Sequence, residues 1–183
     1  MAIAGVGFNT GSNVYYSQKS KMNSKKVQNS FGSSTGIHLH MNDGNNGDKA
    51  LTSVGFPDGS SISVFSGESN GQYKIKCWND NKNETEYSVD IQNVGSEDAS
   101  YLEMLALSTH LDITGQTQNA FGNFISAARG MNGNLTYDTN SIDDKYNFKS
   151  LIAEFMQFQY KVGNLPGYMS VKNFYDHLDS SFV

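Results

Sequence analysis

The sequence predicts an α+β domain: a small antiparallel sheet of three to five short strands, packed against three or four helices from the C-terminal half. Three observations predict it. Residues 72–91 alternate with period two on both sides of a polar cluster. After residue 96 the apolar spacing changes to i, i+3, i+4, the helical repeat. Before residue 37 the composition turns to Gly, Ser, Asn, Gln and Lys. The chain therefore divides into a basic N-terminal arm, residues 1–36, and one domain, residues 37–183. With 183 residues, 37% of them apolar, it is long enough for a single domain with a core.

The arm has too few apolar side chains to offset the entropy of ordering alone. Residues 1–42 hold Lys19, Lys21, Lys25 and Lys26 and no acidic residue, a charge of +4. The remainder has nine basic and eighteen acidic residues, or −9. A basic arm on an acidic body invites attraction, within one chain or between copies. Ile3, Val6 and Phe8 supply apolar anchors for such a contact. Next, Ile37, Leu39 and Met41 alternate with His38 and His40 in a short strand pattern. Two His two residues apart can share a metal, but no third ligand stands at a telling spacing, so solvent-facing strand residues are the plainer reading. The loop Asp43–Asp48 and the run Asp138, Asn140, Asp143, Asp144 offer oxygens at short spacing, yet neither completes a calcium loop. No metal and no cofactor is implied.

Leu51–Phe56 and Ser61–Phe65 read as two strands around the turn Pro57-Asp58-Gly59. The main hairpin follows. Tyr73, Ile75 and Cys77 share one face of its first strand, and Thr85, Tyr87, Val89 and Ile91 one face of its second. Asn79–Asn83 between them is turn chemistry. A turn centred on Asn81 sets Ile75 opposite Tyr87, Tyr73 opposite Val89, Cys77 opposite Thr85 and Lys76 opposite Glu86. Lys74, Lys76, Glu84, Glu86, Ser88 and Asp90 mark the water-facing side. Trp78 shares that side, either packed under another element or exposed as a ligand surface.

Ser96 suits a helix N-cap, with Glu97 and Asp98 in the first turn. Tyr101, Met104, Leu105, Ser108 and Leu111 form the first stripe, ended by Gly115. A second helix spans about 118–129, with Phe121, Phe124, Ile125 and Ala128 inward. A third spans about 148–162, with Phe148, Leu151, Ile152, Phe155, Phe158 and Val162 inward, stopped by Gly163. Its stripe is the densest, which marks it as the central packing element. Leu165-Pro166-Gly167 reads as a turn, and Ser170 as the cap of a short last helix carrying Val171, Phe174, Tyr175 and Leu178.

Composition limits the function classes. A net charge of −5 opposes a generic nucleic-acid binder, which needs a basic face. No apolar run approaches the ~20 residues of a membrane span, and the N-terminus lacks the pattern of a signal peptide. The expected location is therefore the cytoplasm, or outside by a route that does not read that signal. With one Cys there is no disulfide framework and no Cys-based zinc site. His110 and His177 could meet Asp112, Glu103 or Cys77 in space, but no phosphate loop or nucleophile elbow accompanies them.

Three blocks carry a resemblance. They are Tyr73-Lys74-Ile75-Lys76-Cys77-Trp78; Glu103-Met104-x-Ala106-x-Ser108-x-His110-Leu111 with Gly115; and Met156-Gln157-x-Gln159-Tyr160-x-x-Gly163-Asn164-Leu165-x-Gly167-Tyr168 with Lys172, Phe174 and Leu178. Over about Leu51–Leu178 the chain resembles a family of uncharacterised bacterial proteins of gut anaerobes. The resemblance implies a genuine domain and carries over no catalytic residue. The expected function is a non-enzymatic assembly or interaction protein, a homo-oligomer or the partner of another protein. The alternative is a binding module for glycans or another small ligand.

Overall fold

The computed structural model describes residue 41 and residues 49–130 and 142–178. The arm, the strand expected around His38 and His40, the expected Asp43–Asp48 loop, and Asp138 and Asn140 lie outside the described residues. The rest is an α+β fold, a four-stranded antiparallel sheet with four helices after it. The strands are β1 (Thr52–Gly55), β2 (Ser61–Ser66), β3 (Gln72–Trp78) and β4 (Glu84–Asp90), ordered β1-β2-β3-β4. The helices are α1 (Tyr101–Ile113), α2 (Ala120–Gly130), α3 (Phe148–Lys161) and α4 (Leu165–Asp176).

Turn chemistry fixes the sheet. Between β1 and β2 the Asp58 carboxylate accepts from the Ser60 amide (2.9 Å) and hydroxyl (2.5 Å), and Gly59 supplies φ +90°. In the main hairpin the Asn79 side chain accepts from the Asn83 amide, and Lys82 takes the left-handed conformation at φ 62°. The resulting register pairs Ile75 with Tyr87, Tyr73 with Val89, Cys77 with Thr85 and Lys76 with Glu86, as the alternation predicts. Val54, Ile62, Val64, Tyr73, Ile75 and Val89 thus reach one core face. The other face is drier than its composition predicts. Phe65, Ser63 and Trp78 are buried there, and Lys76 is only 5% exposed. Glu84 at 2.8 Å and Glu86 at 3.7 Å give that ammonium the charge partners burial demands. Thr85, expected inward, is exposed because β4 is an edge strand.

Helix α1 is the central element, correcting the expectation for α3. Every residue from Tyr101 to Leu111 except Glu103 is buried, because α1 lies against β2, β3 and β4 and against α2. Its cap is Ser100, not Ser96. Ser100 accepts from the Glu103 amide and Glu103 accepts from the Ser100 amide, a reciprocal capping box. Ser96 instead lends its carbonyl to the Lys149 amide, and Ala99 pairs with Tyr146, so the start of α1 is stitched to the start of α3. Rings continue the seam: Tyr101 to Phe124 at 5.1 Å, Phe124 to Phe148 at 5.5 Å.

Helix α3 buries Phe148, Leu151, Ile152 and Phe155 but not Phe158 or Val162, since its last turns leave the core with α4 beside them. The chain then bends at Gly163 (φ +76°). Leu165-Pro166-Gly167 is the first turn of α4 rather than a loop, because proline needs no amide partner there. Asn164 is the cap, and Ser170, expected in that role, lies inside α4, where its hydroxyl and carbonyl accept from Asn123.

Candidate functional site

The side chains with catalytic potential are each engaged in structure. His110 and Tyr73, both buried, share a 2.7 Å hydrogen bond between ring Nδ1 and phenol oxygen, joining α1 to β3. Burial pushes the imidazole below its ordinary 6.5 and the phenol above its ordinary 10.0. Asp112 caps the next helix: its carboxylate accepts from the Ala120 amide at 2.6 Å, the Phe121 amide at 3.0 Å and the Thr117 hydroxyl at 2.9 Å. Burial raises the Glu103 pKa, but Lys145 and the Ser100 amide outweigh it and hold the carboxyl below its usual range. Cys77 is buried, and burial first, then the charge of Asp143, pushes its thiol up to about 12, far from a nucleophile's range. At the C-terminal cap of α4, the His177 Nδ1–H donates to the Asn173 carbonyl at 2.8 Å.

Among the described residues no group of three or more His, Cys, Asp and Glu could hold a metal ion, and no helix is long and apolar enough to cross a membrane. Trp78 is 6% exposed and its indole N–H donates to Glu84 at 3.1 Å, so the ring is packed rather than presented as an open surface.

The surface that stands out is the elbow between α3 and α4. Phe158, Tyr160, Val162, Leu165 and Met169 expose between 47% and 63% of their surface, all within twelve positions of the chain. Polar residues set the bend beneath them. The Asn164 amide group donates to Gln159 Oε1 at 2.6 Å while its oxygen accepts from the Gly167 amide. A Cβ at Gly167 would fall 2.3 Å from Asn164 Nδ2, so the residue there must be small. Tyr160 and Tyr168 rings lie 5.5 Å apart, and with Met156, Gln157 and Lys161 they line an open hollow of about 330 Å³. Sequence reasoning assigned Phe158 and Val162 to packing and Leu165 to a turn. The missed signal was an excess: Phe158, Tyr160, Val162 and Leu165 supply more apolar groups than one helical stripe can bury.

Among the described residues the β4 edge of the sheet has no neighbour. Strand β4 ends the order, its residues are mostly exposed, and among the described residues no backbone group bonds to its outer side. No family model matches the chain, and no curated protein or solved structure matches it either.

Proposed function

We propose that this chain is a non-enzymatic assembly protein that associates through its surface, with copies of itself as the first partner. The elbow carries the reading. Scattered exposed apolar residues are ordinary, but five within twelve positions of one bend are a concentration that a contact site would use. The engagement of His110, Asp112, Glu103 and His177 in caps and packing supports the non-enzymatic half. The basic arm, with Lys19, Lys21, Lys25 and Lys26 and the anchors Ile3, Val6 and Phe8, is the second proposed contact. Sedimentation over a concentration series tests the elbow. The full chain is expected to exceed monomer mass, and Leu165→Ser with Met169→Ser to shift it toward monomer without loss of helix. Mass unchanged by that pair would contradict an elbow interface.

One observation favours a second reading. The Tyr160–Tyr168 hollow, with Gln157 and Lys161 among its lining, has the stacking and hydrogen-bonding groups that suit a neutral sugar. Calorimetric titration with oligosaccharides would favour this reading if heat appears and vanishes in Tyr160→Ala.

A further inference from the structure

The geometry points to one occupant for the β4 edge: residues 14–21 of a second copy, added as an antiparallel fifth strand. This rests on the self-association reading and specifies its arm contact. The edge is seven residues long and carries Glu84, Glu86 and Asp90 with no basic residue of its own. Behind them on β3 stand Lys74 and Lys76, and both glutamates already share Lys76. Acidic side chains on an open edge repel the same edge of another copy and select a basic strand.

The arm contains one segment that fits in pattern as well as charge. In Val14-Tyr15-Tyr16-Ser17-Gln18-Lys19-Ser20-Lys21, Lys19 and Lys21 alternate on one side, Val14 and Tyr16 on the other. Antiparallel pairing with Lys21 opposite Glu84 sets Lys19 opposite Glu86. The same register sets Tyr16 opposite Val89 and Ser17 opposite Ser88, with Val14 just past the end of β4 at Asp90. Charged residues then meet on the polar side, and Tyr16 falls on the side where Val89 is buried. A shift by one residue would lose both matches together. Backbone hydrogen bonds would supply the attraction, as in other strand additions.

Cross-linking in the full chain tests it. Opposite residues of an antiparallel pair are about 4.5–5.5 Å apart, within the span of a disulfide. Two singly substituted proteins, Ser17→Cys and Ser88→Cys, are mixed and mildly oxidised, and linked peptides are read by mass spectrometry. Ser88 is exposed, so its substitution leaves the fold intact, and buried Cys77 stays out of the reaction. The expected result is a 17–88 linkage several-fold more abundant than 17–126 formed with Ser126→Cys on the exposed face of α2. The charge reversal Lys19→Glu with Lys21→Glu is expected to remove that preference. Equal yields at 88 and 126, or a 17–88 linkage only when both cysteines are in one chain, overturns the proposal. If such chains still associate through the elbow, the assembly reading survives without it. If they are monomers throughout, both fail.

Discussion

At the scale of single residues, burial decides which groups are reactive and which are structural. His110 is buried against Tyr73, and desolvation keeps its pKa below the ordinary 6.5. The unfolded chain therefore binds a proton that the folded chain refuses. This contribution to stability is complete above about pH 6.5 and declines as pH falls through that value toward the folded pKa. Glu103, whose carboxyl is held below its usual range, acts in the same direction at lower pH, because stability drains as it is protonated. Urea midpoints measured from pH 7.5 down to 5 should fall, and His110→Gln should flatten the part nearest 6.5. An unchanged slope in that variant would contradict the buried neutral imidazole. Cys77, its thiol pushed up to about 12, should resist alkylation at pH 8 in native buffer and react quickly in urea. Rapid native labelling would show that the β3 core face opens.

At the scale of elements, the hairpin was legible in the sequence because two signals converged: alternation set its faces and the Asn/Asp turn set its register. Helix α1 was less so. A helix wrapped on nearly all sides has no polar face, so Ala106, Leu107 and Thr109 look like lapses in a stripe when they are core. The α4 start was misread because Leu-Pro-Gly serves equally as a turn and as a capped first turn; the hydrogen bonds of Asn164 settle which. Lys76 was legible only as a polar-face residue, and Trp78 as either packed or exposed, since sequence cannot show what covers that side of the sheet. Two substitutions separate core from surface. Leu105→Ala in α1 should cost about 2–5 kcal/mol, while Leu165→Ala on the elbow should stay within about 0.5 kcal/mol. A Leu105→Ala loss under about 1 kcal/mol in urea unfolding would contradict the central place of α1. Gly167→Ala crowds the Asn164 cap and should cost about 0.5–2 kcal/mol, as lost caps do.

At the scale of the whole molecule, the candidate site was legible only as an asymmetry, +4 on residues 1–42 against −9 on the rest. Exposure adds two surfaces, the apolar elbow and the acidic β4 edge, which composition could not locate because both draw on residue types common in cores and loops. They should respond to salt differently. Apolar contact strengthens or holds as salt rises, whereas attraction between the basic arm and the acidic body is screened beyond about 30 Å at 0.01 M and about 3 Å at 1 M. The direct measurement is light scattering of the full chain, beside a chain starting at Gly36, over a dilution series at those two salt concentrations. Function by association predicts a full-chain mass above monomer that falls with dilution and with salt, and a smaller, less salt-sensitive mass for the shortened chain. Both chains monomeric at every concentration and both salts would contradict it.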